Sequence, residues 1–368
     1  MESKRLRDCS LFRLAVFVVL PVLIVVAMCG RGNYYSAMVC TFAINVLLAA
    51  SLNLVNGFSG MFSMGHAAFM AVGAYISAFL TLSPTQKASM LPGLPQWLTN
   101  IQIPLLPALL VAGIAAAFVA VLIGIPVLRF KGHYLSVATL GLIVIVRAVL
   151  DNSDSVTNGP RGITGLPNLA TPTLIFAVLM VSLFIMYRLI RSSYGRGLIA
   201  MRDDDVAAQS LGINLTSKKI SIFCISAFFA GVAGAMWGHN QTVISGQFFY
   251  FNMSFKVVQI SIIGGMASLS GAAVGALFMT FVPELLAPLE SGFNLFGMAI
   301  PSLYGISNII MAVFLILVII FRRQGLLGSS ELLLESWFSG STYTSLFKKS
   351  EYQELAAAIR GKFNRKQT

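Results

Sequence analysis

Apolar residues in this chain run on without interruption for most of its length, and the polar positions fall between the runs. Cutting at charges, prolines and glycine clusters predicts about ten apolar segments. They cover 11–29, 34–54, 62–82, 104–128, 134–150, 173–190, 217–240, 255–268, 270–287 and 302–321. Several are about 18 residues or longer and carry no charge, the length and composition of a helix that crosses a bilayer. The expected fold is all-α and polytopic, with a membrane domain over 1–328. The eighth segment is short and runs into Gly264 and Gly265, which predicts a broken or re-entrant helix. Beyond it, "ELLLESWFSG" and "SEYQELAAAIRGKFNRK" leave the pattern, so 329–368 is a cytoplasmic tail. It either lies on the membrane surface with Trp337 and Phe338 inward or is solvated and partly ordered.

One stretch between the sixth and seventh segments is charged: "SYGRGLIAMRDDDVAAQSLGIN", 193–214. Asp203 suits a helix N-cap, and Asp204 and Asp205 suit the first turn, where the helix dipole favours negative charge. Gly212 suits the left-handed position after the last turn. Between them a helix of two to three turns would carry Ala207, Ala208 and Leu211 at helical spacing as a small apolar face. Such a helix either docks into a groove of another protein or lies on the membrane.

Two glycine-rich stretches also stand out. "NLVNGFSGMFSMGHAAFMAVGAY", 53–75, places Gly57, Gly60, Gly65 and Gly73 beside Asn53, Asn56, Ser59 and Ser63. Glycine in a membrane helix serves close packing; alternatively it marks a break whose freed backbone meets a polar solute. In "IIGGMASLSGAAVGALF", 262–278, Gly271 and Gly275 form a G-x-x-x-G that reads as packing.

Composition sharpens the class. Of 368 residues, 57% are hydrophobic and 10% charged, against about 25% charged in soluble domains. The net charge of +12 does not point to nucleic acid, because the bases flank apolar runs. Lys4, Arg5, Arg7 and Arg13 precede the first, Arg129 and Lys131 follow the fourth, Arg188 to Arg202 follow the sixth, and Arg322 and Arg323 follow the tenth. Ten spans put all of these, and both termini, on one face, which the positive-inside rule makes cytoplasmic. The first segment contains Pro21 and lacks a clear cleavage site, so it reads as a retained helix and not a signal peptide. Cys9, Cys29, Cys40 and Cys224 have no C-x-x-C spacing and read as small apolar residues, with a Cys29–Cys40 bridge left open. His66, His133 and His239 lie far apart near helix ends, so no metal site is expected.

The chemistry of the spans is sparse. Arg147, Lys256, Glu284 and Glu290 are the ionisable residues near them, and all read as close to outer ends. No phosphate-binding loop, nucleophile–base pair or paired carboxylates suggest an enzyme. The chain reads as a passageway without an energy source of its own.

Taken together, "NGFSGMFSMGHAAFMAVGAY", "LRFKGHYLSVATLG", "TNGPRGITGLP", "YGRGLIAMRDDDVAAQSLGIN" and "FRRQGLLG" resemble, in order, the LivM-type permeases of branched-chain amino acid ABC importers. The resemblance covers about 30–328. It implies a multi-pass subunit of a bacterial inner membrane that moves leucine-, isoleucine- or valine-like amino acids from periplasm to cytoplasm. It also implies a homologous LivH-type permease, two cytoplasmic ATPases and a periplasmic amino-acid-binding protein as partners, in contact with membrane lipid and without nucleic acid. ATP and Mg²⁺ would sit on the ATPases, and no cofactor on this chain. The charged stretch would be the coupling helix that docks on an ATPase. Gly195, Arg196, Arg202, Asp203, Asp205, Ala207 and Gly212 match the family's loop, with Asp204, Ala208 and Leu211 between them. The family often has Glu-Asn-Glu where this chain has three aspartates. Asn53, Asn56, Gly57, Ser59, Gly60, Ser63, Gly65, Gly264 and Gly265 are the candidate translocation path. The outer loops 83–103 and 151–172 would meet the binding protein, the second through Thr157, Gly159, Gly162, Thr164 and Gly165. A urea or short-amide ABC permease is the near alternative. A stand-alone channel or ion-coupled carrier is the distant one, opposed by the capped helix and the scarcity of buried ionisable groups.

Overall fold

The computed structural model describes residues 33–130, 132–291, 293–295, 298–300, 305–322 and 325–326. The expected first segment 11–29, the possible Cys29 bridge and the tail 329–368 lie outside them. The membrane helices are α1 Asn33–Asn53, α2 His66–Thr81, α3 Leu105–Val127, α4 His133–Asn152 and α5 Pro172–Arg191. Two short helices follow, α6 Ser193–Asp203 and α7 Asp205–Ser210, and then α8 Leu215–Gln241, α9 Phe251–Gly264, α10 Leu269–Ser291 and α11 Ile306–Phe321. Among the described residues, six helical stretches are long and apolar enough to cross a membrane, and α2 and α11 are shorter apolar helices. Among the described residues, two small antiparallel ribbons interrupt the all-α fold: β1 Ile163–Thr164 with β2 Val243–Ile244, and β3 Phe293–Leu295 with β4 Met298–Ile300.

The helix faces are told apart by size and hardly at all by polarity. Along α3, Ala108, Ala112, Gly113, Ala116, Ala120 and Gly124 turn inward, whereas Leu106, Leu110, Ile114, Phe118 and Leu122 turn outward. In lipid no hydrophobic force separates such faces, and association comes from close packing of small residues. Such close packing joins α2 to α8. A Cβ on Gly73 would lie 2.1 Å from the Gly231 carbonyl oxygen, and one on Gly234 would lie 2.0 Å from that of Met70. Hence the span beginning with α1 is 83% buried while α5 is 28% buried: α1, α2 and α8 form the centre, and α4 and α5 offer broad apolar faces outward.

Buried polar groups fasten this centre. Ser226 Oγ donates to the Ser51 carbonyl at 2.6 Å and lies 3.0 Å from His66 Nε2. His239 sits between the Pro167 carbonyl, 3.0 Å from Nδ1, and Thr81 Oγ1, 3.3 Å from Nε2. Both histidines therefore hold helices together.

At the end away from α6 and α7, three loops lock into one cap. The Gly93 amide donates to the Ser155 carbonyl at 2.8 Å, Gln86 Nε2 to Gly165 at 3.3 Å, and Ser245 Oγ to Pro160 at 3.3 Å. Lys87 is buried beneath this cap and donates to the Leu98 carbonyl at 3.2 Å and to that of Ile101. Burial pushes its amine below the usual lysine range.

Candidate functional site

The charged stretch folds as two helices, with a kink between them. α6 begins at a Ser192 cap, whose hydroxyl accepts from the Gly195 amide at 3.3 Å. Gly195 sits at the corner with α5, where a Cβ would come 2.0 Å from the Ile190 carbonyl oxygen. Arg196 stays local, donating to Ser193 Oγ at 2.8 Å and the Arg191 carbonyl at 3.3 Å. Tyr194 fixes α6 to α8 through Ser221 Oγ at 2.6 Å, with the Lys218 ammonium 3.9 Å above its ring.

The N-cap of the second helix is Asp204, one residue later than the sequence suggested. Asp204 Oδ1 accepts from the amides of Val206 at 2.8 Å and Ala207 at 3.0 Å. Its neighbours are already engaged. Asp203 ends α6 and holds Arg202, and Asp205 pairs with Lys219 at 3.2 Å on α8. Helix α7 is six residues, shorter than the two to three turns expected. It ends as expected at Gly212, φ +80°, with Gly212 donating to Gln209 at 2.9 Å and Ile213 to Ala208 at 3.1 Å, a Schellman closure. The apolar face is also rotated from the expected one. Ala208 is 2% exposed and turns inward, leaving Val206 (72% exposed), Ala207 and Leu211 (80% exposed) outward. Val206 was absent from the sequence reading; its i, i+1 and i+5 relation to Ala207 and Leu211 was the available signal. Removing the cap with Asp204→Ala should cost about 1 kcal/mol, so amide exchange over 206–211 should quicken about fivefold while exchange in α8 stays unchanged.

Above this stretch lie two breaks. α1 continues as a π-helical turn, Leu54–Phe58, and residues 59–65 are not helical. α9 stops at Gly264 after 14 residues, as the sequence suggested for the eighth segment, and α10 starts at Leu269. Asn53 joins the two breaks. Its Nδ2 donates to the carbonyls of Gly265 at 3.2 Å and Ser268 at 2.9 Å, and its Oδ1 accepts from Ser261 Oγ. Asn56 spans the first break, exchanging two hydrogen bonds with the Ser63 backbone at 2.9 and 3.0 Å. Ser59 Oγ donates to Val55 at 2.7 Å. Ser136 and Thr139 of α4 hold Phe62 and Met64, and Ser254 of α9 donates to the Met64 carbonyl.

The candidate-path residues are thus brought together, with Gly57 closest of all to the second break. A Cβ there would lie 1.4 Å from the Met266 carbonyl oxygen. Gly65 lies against Thr139, and Gly264 against Gly271. The side chains of Asn53, Asn56 and Ser59 are buried and spent on hydrogen bonds within the chain, so they frame the breaks. The serines and threonines that complete this frame were missed because a lone hydroxyl in an apolar run carries no spacing signal.

Arg202 connects the charged stretch to the breaks. Its Nη1 donates to the Gly57 carbonyl at 3.3 Å, and its side chain lies over Gly60, where a Cβ would come 2.8 Å from Arg202 Cγ.

The outer-loop residues divide. Thr157, Gly159 and Gly162 are buried, against their expected role as contacts; the Thr157 hydroxyl donates to the Leu150 and Ser153 carbonyls and so shapes the loop. Thr164 and Gly165 are exposed, with Pro160 and Arg161 beside them.

Comparison with known proteins adds what geometry alone does not. Residues 34–322 match the family described as branched-chain amino acid transport system / permease component. The chain is 31% identical to the high-affinity branched-chain amino acid transport system permease protein LivM of Escherichia coli K12, over 87% of this chain and 76% of that one. It is 22% identical to a probable LivM permease of Methanocaldococcus jannaschii, over 79% and 92%. It is 25% identical to the E. coli K12 permease LivH, over 77% and 91%. No solved structure matches.

Proposed function

This chain belongs to the family of permease components of branched-chain amino acid transport systems, and we propose that it is one of two membrane-spanning subunits of an ATP-binding cassette importer. In this reading it carries leucine-like amino acids from periplasm to cytoplasm across a bacterial inner membrane. A homologous LivH-type permease is its membrane partner, two ATPases that bind ATP and Mg²⁺ supply the energy, and a binding protein delivers the amino acid. The end bearing α6 and α7 faces the cytoplasm, and the cap holding Thr164 and Gly165 receives the binding protein.

The observation that carries this reading is the state of α7. Val206 and Leu211 stand exposed on a short helix whose ends are fully capped and whose other face is fixed to α8. Capping and pairing make it rigid, and a rigid helix with an outward apolar face transmits movement from whatever grips it. Movement of α7 reaches the broken segments through the adjacent Arg202, whose guanidinium holds the Gly57 carbonyl. The breaks then shift between outward- and inward-open arrangements.

Leu211→Asp and Ala207→Asp test this. A carboxylate placed in an apolar contact costs several kcal/mol, and about 1.4 kcal/mol already makes a tenfold change in binding. ATP-dependent leucine uptake in vesicles holding all partners should fall at least about tenfold, with the ATPases lost from the purified complex and the permease still in the membrane. Normal uptake by both variants would defeat the assignment.

A further inference from the structure

Lys256 lies five residues inside the outer end of α9, deeper than its sequence position suggested. Ser254, two residues earlier, donates to the Met64 carbonyl inside the first break, and the Met64 amide donates to Thr139, six residues into α4. Lys256 is therefore level with the break, on roughly the opposite side of α9 from Ser254. Asn252, Lys256 and Gln259 follow at i, i+4 and i+7 and share one helix face. Asn252 is exposed and the other two are half-buried.

Every other asparagine in the central helices is spoken for. Asn45 donates to Thr280 at 2.9 Å, and Asn53 and Asn56 are fully engaged as described. Among the described residues no hydrogen bond or ion pair meets Asn252, Lys256 or Gln259. A lysine within the apolar interior of a membrane bundle is costly to leave without a counter-charge. A polar stripe with a cation, held at the depth of a broken segment, suits an occupant that supplies negative charge.

We propose that this face lines the translocation route and that Lys256 receives the carboxylate of the amino acid in transit, with the amide oxygens of Asn252 and Gln259 available to its ammonium group. The proposal rests on the reading of the chain as an amino-acid permease. Charge complementarity selects the occupant: a zwitterion with an apolar side chain offers one carboxylate to one lysine and one ammonium to neutral amides. A stripe of three polar groups with a single cation matches that pattern and leaves the remaining apolar walls for the side chain.

The test uses proteoliposomes containing this chain with its partner permease, ATPases and binding protein, and leucine as probe. Lys256→Met should cut the initial rate of leucine uptake at least about tenfold, equivalent to about 1.4 kcal/mol, and Lys256→Arg should keep a third or more of it. As a second readout, Lys256→Cys should be modified by a charged methanethiosulfonate, located by mass spectrometry on the 256 peptide, and leucine with ATP should slow modification at least fivefold. Undiminished uptake in Lys256→Met, or modification that leucine does not slow, overturns the assignment. Loss of the partner permease from the Lys256→Met complex also overturns it, because the lysine would then be an inter-subunit contact. Failure of the broader reading looks different: the unaltered assembly itself would hydrolyse ATP without accumulating leucine, and the assignment would fall with it.

Discussion

Arg202→Ala is expected to lower ATP-driven leucine uptake at least about tenfold while the permease remains in the membrane at its normal level. The residue makes two kinds of contact with different worth. Its ion pair with Asp203, at 3.0 Å, involves a carboxylate that is 63% exposed, and such pairs contribute about 0–1 kcal/mol. Its hydrogen bond to the Gly57 carbonyl is partly buried, and a charged donor there is worth about 1.5–3 kcal/mol. What the variant loses is therefore chiefly the mechanical tie between the charged stretch and the first break, together with the side chain's cover over Gly60. Uptake in inverted or reconstituted vesicles, set beside an immunoblot of the membrane fraction, measures both quantities. Arg202→Lys should rescue only in part, because an ammonium keeps the charge but lacks the planar fork that also reaches Asp203.

Gly57→Val is expected to remove the protein from the membrane, to below a tenth of its normal amount. The atom a new Cβ would strike, 1.4 Å away, is a backbone oxygen in the second break. A side-chain end could rotate aside, but Met266 is held in place by the hydrogen bonds that Asn53 makes to Gly265 and Ser268 on either side. Overpacking alone costs about 1–3 kcal/mol or more, and separating the two breaks would also leave those carbonyls unpaired at about 1–3 kcal/mol each. Gly212→Ala offers the contrast. Nothing lies within 4 Å of a Cβ there, so only the left-handed backbone is penalised, by about 1–2 kcal/mol, and the protein should persist. Immunoblotting of membranes from matched cultures distinguishes the two.

The membrane helices were legible because their length and lack of charge are properties of the residues themselves. The capping of α7 was legible only to within one residue. Three consecutive aspartates all suit an N-cap, and the choice falls to Asp204 because Arg202 holds Asp203 and Lys219, fourteen positions on, holds Asp205. Which way the alanines face was not legible, since helical spacing places Ala207, Ala208 and Leu211 near one another without saying which side meets α8. The depth of Lys256 was hidden for a related reason. An apolar run beginning near it suggests a helix end, and only the bond from Ser254 to Met64, 190 residues earlier, places that turn beside the break. The buried outer-loop residues followed the same rule: turn-forming glycines announce a loop, and tertiary bonds such as Gly93 to Ser155 decide which of its residues reach the surface.

The glycine contact between α2 and α8 bears on how the protein is made. Gly73 and Gly231 are 158 positions apart (231 − 73), and their backbones touch at the centre of the bundle. At about 5–20 residues per second, roughly 10–30 s of synthesis separates them. During that interval α2 has been released into the bilayer with its small-residue groove empty. A nascent chain interrupted before α8 emerges is thus a ready target for membrane proteases, and pausing of the ribosome in that stretch should decide how much permease survives.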